Sequence, residues 1–299
     1  MLDVVIIGSG PAGITAAIYA KRANLNVAVV EKEYLGTGQI ADSSRVDNYP
    51  GIPGIDGYSL GEKFREHAES LGVEFTEAQV LSLGQKDGIW IIGCDEDITL
   101  ESKAVIYATG CKNRPLGVPG EEKYYGRGLS FCAVCDGAFY KGKRVAVIGG
   151  GDTALDDAMY LSDICEKVYL VHRREFFRGS ASTLEKLKQK ENVEIIVNAR
   201  VEEITGDKKI DGIILDNKTK LNISGLFAAV GMIPQTELLK EFGVLDESNY
   251  IKASEDTKTT VNGLFAAGDV RTKQLRQVVT AAADGANAIY SVMEYLRNI

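Results

Sequence analysis

The apolar positions of this chain fall into short runs punctuated by glycine, and one such layout occurs twice. Residues 3–7 read Asp-Val-Val-Ile-Ile, a nearly continuous apolar run that suits a parallel strand covered on both faces. Gly8-Ser9-Gly10-Pro11-Ala12-Gly13 follows at once. Residues 13–23 then carry a helical pattern, and Val27 to Val30 form a second strand ending at Glu31. A shift of 141 positions superposes this block without a gap on a later one, with Gly8 on Gly149, Gly10 on Gly151, Ala17 on Ala158, Tyr19 on Tyr160 and Val30 on Val171. The later block has a strand at 145–148, the turn Gly149-Gly150-Gly151-Asp152-Thr153-Ala154, a helix to about Ile164 and a strand from Val168 to Val171. Segments 73–101 and 193–223 have β character and read as three-stranded additions to each block.

Strand, glycine turn, helix and strand in this order are the parts of a dinucleotide-binding βαβ unit. Gly8 permits the sharp turn out of the strand, Gly10 lets a pyrophosphate approach the backbone, and Gly13 lets the helix pack closely on the strand. Pro11 and Ala12 complete the turn, and the helix N-terminus supplies free N–H groups and a positive dipole end to the phosphates. Glu31 lies 18 residues after Gly13, where an acid accepts hydrogen bonds from a ribose. In the second block the equivalent position is His172, followed by Arg173, Arg174 and Arg178. A carboxylate there would repel a 2′-phosphate, whereas arginines suit one. The second site, with Gly149, Gly151, Asp152, Thr153 and Ala154 in its turn, is thus expected to take NADPH, and the first to take the ADP half of FAD. The predicted fold is α/β, with two Rossmann-like three-layer nucleotide-binding domains.

The composition narrows the class. Thirty-two glycines in 299 residues exceed the usual share of about 7%, in keeping with many tight turns and close backbone approaches. The net charge of −8 and the lack of a broad basic stripe argue against nucleic acid as a partner. No apolar run reaches the ~18 residues needed to span a bilayer. The N-terminus lacks the basic start and cleavage site of a signal peptide, so a cytoplasmic location is expected.

Five cysteines, an odd number, argue against a structural disulfide framework. Cys94 and Cys165 sit in apolar-periodic segments, and Cys111 follows a Thr-Gly turn. Cys132 and Cys135 form a CxxC just before the second block. No second CxxC exists and the histidines are His67 and His172, so a four-ligand metal site is not expected. A CxxC beside nucleotide folds reads instead as a redox pair, with Asp136 adjacent as a candidate general acid and base.

With these motifs together, the chain resembles the low-molecular-weight thioredoxin reductases over essentially its whole length. The resemblance rests on Gly8–Gly13, Asn48-Tyr49-Pro50-Gly51, Ala108-Thr109-Gly110, Cys132–Asp136, Gly149–Ala154, His172-Arg173-Arg174 with Arg178, and Gly268-Asp269. It implies a discontinuous FAD-binding domain of residues 1–113 and 242–299, and an NADPH-binding domain of residues 114–241 carrying the CxxC. It further implies that Gly36-Thr37-Gly38-Gln39 wraps the FAD pyrophosphate and ribitol, that Asn48 lies near the flavin, and that Thr109 and Gly110 mark the exit from the FAD domain. Asp269, after Gly268, would bind the ribitol or pyrophosphate, and Arg276, Gln277 and Val278 would lie over the pyrimidine side of the flavin. Electrons would pass from NADPH to FAD, to the disulfide and on to thioredoxin or a similar small dithiol protein. Cys135 would be the flavin-proximal sulfur, Cys132 the outer nucleophile and Asp136 the acid. Rotation between the domains and a homodimer belong to the same expectation.

Two departures bear on the partner and the turn. After Asp136-Gly137 the family often has two aromatics, whereas here the pair is Ala138-Phe139; Arg127 still matches a partner-contacting residue. The third glycine of the second turn is replaced by Ala154, which the fingerprint tolerates. The alternatives are a flavoprotein reductase of another dithiol carrier, glutaredoxin-like or peroxidase-linked, and a non-catalytic FAD/NADP-binding sensor.

Overall fold

The computed structural model describes residues 1–33, 37–43 and 45–299. The chain folds into two compact units, one of Met1–Lys112 with Ile233–Ile299 and one of Asn113–Met232. In chain order, the first unit opens with β1 (Leu2–Ile7), α1 (Pro11–Arg22), β2 (Val27–Glu31), α2 (Gly57–Ser70), β3 (Glu74–Glu77), β4 (Val80–Lys86), β5 (Ile89–Cys94) and β6 (Thr99–Tyr107). The short strand β7 (Cys111–Asn113) leads into the second unit. That unit comprises β8 (Leu129–Ser130), α3 (Ala133–Asp136), β9 (Arg144–Gly149), α4 (Asp152–Ser162), β10 (Lys167–Val171), α5 (Ala181–Lys188), β11 (Val193–Ile196), β12 (Val201–Thr205), β13 (Gly212–Leu215), β14 (Lys220–Asn222) and β15 (Gly225–Ala229). After β16 (Met232–Pro234), the chain adds β17 (Leu264–Ala266) and α6 (Val278–Leu296) to the first unit.

The sequence repeat reappears as topology. The first unit has parallel neighbours β3-β2-β1-β6, with β17 parallel on the far half of β6; the second has β11-β10-β9-β15-β8, all parallel. Strand side chains alternate between faces. Val4 and Ile6 of β1 therefore join α1 and α6 in one core, while Val5 and Ile7 join Trp90, Ile92 and Leu239 on the other face. In the second unit Val145 and Val147 pack under α4, and Ala146 and Ile148 pack against Ile213 and Leu215 of β13.

Two sequence expectations change. Segments 73–101 and 193–223 are not simple three-stranded additions, because β3 and β11 complete the parallel sheets. The additions are β4-β5 with the first half of β6, and β12-β13-β14. In addition, residues 233–241, assigned from sequence to the second domain, pack with the first unit: Leu239 is fully buried beside Val5 and Val244.

A buried ionic knot ties the returning segment to α6. Asp284, 2% exposed, accepts from the Gly268 N–H (2.8 Å), Arg271 Nε (2.8 Å) and Nη2 (2.6 Å), and Lys273 Nζ (2.9 Å). Arg271 is equally buried and spends Nη1 on the carbonyls of Ala253 and Thr272. Burial alone would push the Asp284 carboxyl up, but the hydrogen bonds and charges of Arg271 and Lys273 outweigh it and hold it below the ordinary value. Asp284→Asn leaves two buried cations underpaired and should destabilise the fold by about 3–5 kcal/mol, read as a lower urea midpoint. Because the folded value is depressed, this contribution is present above the unfolded carboxyl value of about 3.9 and is lost as pH falls through the folded one.

Candidate functional site

In the first unit the glycines of the opening turn play distinct parts. Gly8 has φ +103°, and a Cβ there would lie 2.5 Å from the Ala108 carbonyl oxygen. A Cβ on Gly13 would lie 1.9 Å from the Gly8 oxygen, so α1 can seat against β1 only with glycine at this position. At Gly10 a Cβ would meet no described residue nearer than 3.9 Å, so the face it presents is open among the described residues. Glu31 closes the turn from the end of β2: one carboxylate oxygen accepts from Ser9 N–H (2.8 Å) and Ser9 Oγ (2.9 Å), the other from Lys32 N–H (2.7 Å).

The distant residues singled out in the sequence gather at this end of the sheet. Gly10 faces Gly38, and a Cβ on Gly268 would touch Ala12 of α1 at 2.9 Å. Asn48 Nδ2 donates to Gln277 Oε1 (2.8 Å) across 229 residues. Gln277 in turn caps α6, which begins at Val278. Arg276 donates from Nε to the Asp269 carbonyl (3.2 Å) and stacks 4.2 Å from the Tyr250 ring. Thr109 Oγ1 donates to the Gln235 carbonyl (2.8 Å), and the Gly110 carbonyl accepts from Gln235 N–H. Gln39 is half-buried in the 3₁₀ turn Gly38–Asp42. Gly36 lies outside the described residues.

Asp269 is the electrostatic anomaly here. Its Oδ1 is buried with no hydrogen-bond partner among the described residues, and burial pushes its carboxyl up to about 6 despite the nearby Lys273 and Arg276. Sequence reasoning did not pick out two of its neighbours. Cys111 donates from its thiol to the Asp269 carbonyl (2.9 Å), and its thiol is pushed up to about 11, by burial first and then by the Asp269 charge. Tyr250 lies against both Arg276 and Cys111. Neither stands in a recognisable motif, and only the three-dimensional return of residues 233–299 brings Tyr250 there.

In the second unit Gly149 packs against Ala229 and Ala154, while no described residue lies within 4 Å of a Cβ placed on Gly151. Asp152, at the start of α4, accepts from Ser180 N–H (2.7 Å), and Thr153 next to it is exposed. The Arg178 N–H donates to the Gly150 carbonyl (2.7 Å), which draws the arginine loop beside the glycine turn. The Arg173, Arg174 and Arg178 side chains are exposed, with no hydrogen bond or ion pair to another described residue. His172 differs from them. Its ring is buried beneath Gly150, 4.9 Å from the Phe177 ring, with Nε2 3.2 Å from the Phe176 carbonyl. Burial, followed by the three arginine charges, lowers its pKa and favours the neutral ring. The sequence grouped it with the phosphate-facing cations; the structure makes it a support under both loops.

Cys132 and Cys135 are joined by a disulfide, their Cα atoms 5.3 Å apart. Cys132 caps the single turn of α3, its Sγ accepting from Cys135 N–H (3.2 Å). Asp136 Oδ2 accepts from Ser130 Oγ (2.6 Å). Burial raises the Asp136 carboxyl above its ordinary value, and the Ser130 hydrogen bond draws it part of the way back. Val134, Ala138 and Phe139 stand exposed around the pair, with Val134 59% and Phe139 42% accessible. Cys94, Cys111 and Cys165 are buried free thiols. Among the described residues, no group of His, Cys, Asp and Glu is arranged to hold a metal, and no helix is long and apolar enough to cross a membrane.

Comparisons with known proteins agree with this geometry. The model of the pyridine nucleotide-disulphide oxidoreductase family matches residues 2–285. The chain is 39% identical to a 34.2 kDa protein of the rubredoxin operon of Clostridium pasteurianum, over 99% of this chain and 97% of that one. It is 38% identical to thioredoxin reductase of Bacillus subtilis, over 99% and 95% of the two chains. The crystal structure of thioredoxin reductase from Streptococcus pyogenes MGAS5005 superposes with a TM-score of 0.93 at 40% identity, covering 100% of this chain and 99% of that one. This chain therefore belongs to the pyridine nucleotide-disulphide oxidoreductase family, among its thioredoxin reductases, and is an oxidoreductase.

Proposed function

We propose that the chain is an NADPH-dependent, FAD-containing reductase of thioredoxin. The observation that carries this reading is the Cys132–Cys135 disulfide, capped on one helical turn beside a carboxyl of raised pKa and ringed by exposed apolar side chains.

The first unit fits FAD. Asp269 Oδ1, buried and without a hydrogen-bond partner among the described residues, suits a ligand hydroxyl, and the face at Gly10, open among the same residues, suits a pyrophosphate. Gly8, Gly10, Pro11, Ala12, Gly13, Glu31, Gly38, Gln39, Asn48, Thr109, Gly110, Gly268, Asp269, Arg276, Gln277 and Val278 would hold it. The second unit fits NADPH: the open Gly151 and the start of α4 suit its pyrophosphate, and Arg173, Arg174 and Arg178 its 2′-phosphate. Gly149, Asp152, Thr153 and Ala154 complete that turn, with His172 beneath it. When bound, FAD supplies a two-electron relay between a hydride donor and a disulfide.

The chain's own residues then do the following. The Cys135 N–H donates to Cys132 Sγ in the disulfide, and the same donor would favour the Cys132 thiolate once the pair is reduced. Cys132 attacks the partner's disulfide, forming a mixed disulfide and expelling one partner thiolate, which takes up a proton. Cys135 then attacks Cys132 Sγ, restores the internal disulfide and expels the second partner thiolate. Asp136 accepts the proton that Cys135 gives up and returns one when the dithiol is regenerated. The glycine turn for NADPH and the disulfide belong to one unit and the flavin-binding residues to the other; rotation of the units about their two connections would bring each of the two to the flavin in turn. A cytoplasmic location and a homodimer complete the proposal.

A second reading, reduction of a different small dithiol protein, is favoured by the exposed Ala138, which offers a partner less apolar contact than an aromatic. One experiment addresses both readings at their common step. FAD-loaded protein is titrated anaerobically with NADPH, quenched with an alkylating agent and mapped by mass spectrometry. Two newly alkylated cysteines, Cys132 and Cys135, are expected; flavin bleaching without new alkylation would remove the disulfide from the electron path.

A further inference from the structure

Ser130 is buried, 6% exposed, and ends β8, which the parallel strand β15 holds in register. Its hydroxyl sits between two parts of the redox centre. Oγ lies 2.6 Å from Asp136 Oδ2, accepts from the Cys132 N–H at 3.1 Å, and lies 3.3 Å from the Cys132 carbonyl. A hydroxyl has one proton to donate and two lone pairs to accept with. With Asp136 ionised, the short contact takes the proton, because a carboxylate is the stronger acceptor. With Asp136 protonated, the carboxyl donates to Oγ and the serine proton turns to the Cys132 carbonyl. The Cys132 N–H donates to Oγ in both arrangements, and no buried polar group is left unpaired in either.

We infer that Ser130 is a positioning residue of the redox centre: it ties the Asp136 carboxyl to the Cys132 turn and accommodates it in both protonation states, so that a proton can be taken up and released without disturbing the cysteines. The inference rests on the proposed role of Asp136 as the acid and base of the pair.

The surrounding titratable groups must be separated from this one. Tyr140, in the turn after α3, is pushed up by burial and by the Asp136 charge. From α4, packed on α3, come Asp152, Asp156, Asp157 and Tyr160. Burial, then the Asp156 charge, pushes Asp157 up to about 7.

The test follows the alkylation rate of the full chain, reduced with dithiothreitol, against pH. This readout does not depend on turnover. In the wild type, the ionisation of Asp136 contributes an inflection below that of the thiol itself. Asp136→Asn should abolish that inflection and Asp157→Asn should leave it in place. Ser130→Ala removes one oxygen without adding bulk, and a thermal melt checks that it folds. It withdraws a donor from the carboxylate and should move the inflection up by about one pH unit, a tenfold change in the ionisation constant. Ser130→Thr, which restores the hydroxyl, should return it to the wild-type position. A Ser130→Ala profile that coincides with wild type, while Asp136→Asn still removes the inflection, overturns the inference alone. An unchanged profile in Asp136→Asn overturns the inference together with the role of Asp136 on which it rests.

Discussion

Cys135→Ser should lower NADPH-dependent reduction of thioredoxin by roughly 10⁴-fold or more, since the pair acts as a unit and half of it has no residual route. The same variant should still bind FAD and still have its flavin reduced by NADPH, because no residue of either glycine turn is altered. Its remaining thiol, Cys132, caps α3 and receives a hydrogen bond from the N–H of residue 135, which serine also has. It should therefore attack oxidised thioredoxin once and stop. With thioredoxin whose second active-site cysteine is replaced by serine and whose first carries a 5-thio-2-nitrobenzoate leaving group, so that the expelled thiolate departs, the mixed disulfide should accumulate to about one equivalent, visible on a non-reducing gel and released by dithiothreitol. Cys132→Ser should bleach as readily but trap no partner. Equal trapping by both variants would mean that the assignment of outer and inner sulfur is wrong.

The second large effect concerns the choice of nucleotide. Changing both Arg173 and Arg174 to Ala should raise the KM for NADPH roughly a hundredfold, equivalent to about 2–3 kcal/mol for two exposed charge-assisted contacts. The KM for NADH should change little, because NADH carries no 2′-phosphate. The two guanidiniums are exposed and form no ion pair or hydrogen bond with another described residue, so their loss should not disturb the fold. Salt gives an independent check: the KM for NADPH of the wild type should rise with ionic strength more steeply than that of the double variant. Equal rises for both nucleotides would dismiss the 2′-phosphate argument.

How far the sequence reveals this molecule depends on which forces leave a periodic trace. The duplicated strand, turn, helix and strand are legible because each buries a continuous apolar run and because the glycines answer to steric demands at fixed spacing. Gly13 is the clearest case, with no room for a Cβ against the Gly8 oxygen. The CxxC is legible because two sulfurs three residues apart on a turn are rare without chemistry. Pairing partners are less visible: β3 and β11 are short runs of mixed polar and apolar residues, and nothing local reports that they join parallel sheets while the strands after them pair antiparallel. The boundary near residue 233 leaves no local trace because Leu238 and Leu239 lie within a charged stretch, and their burial comes from the first unit's core. Buried polar groups are the least visible. Arg271, Lys273 and Asp284 read as surface charges, and they are buried only because each partners another. His172 stands in a basic cluster, yet its ring fills the space left by a glycine 22 positions earlier, at Gly150. Ser130 carries no motif of its own, and its value appears only once β8 sets it over the Asp136 carboxyl.

The central claim is that electrons from NADPH leave this protein through Cys132 and Cys135 to thioredoxin. The measurement that tests it most directly is a stoichiometric turnover assay with FAD-loaded protein, NADPH and the host's thioredoxin under nitrogen, counting NADPH consumed and thiols formed. The predicted result is one new thioredoxin dithiol per NADPH, at a rate that saturates with thioredoxin and disappears in Cys135→Ser. NADPH consumption that does not depend on thioredoxin, or thiol formation that survives in Cys135→Ser, would contradict it.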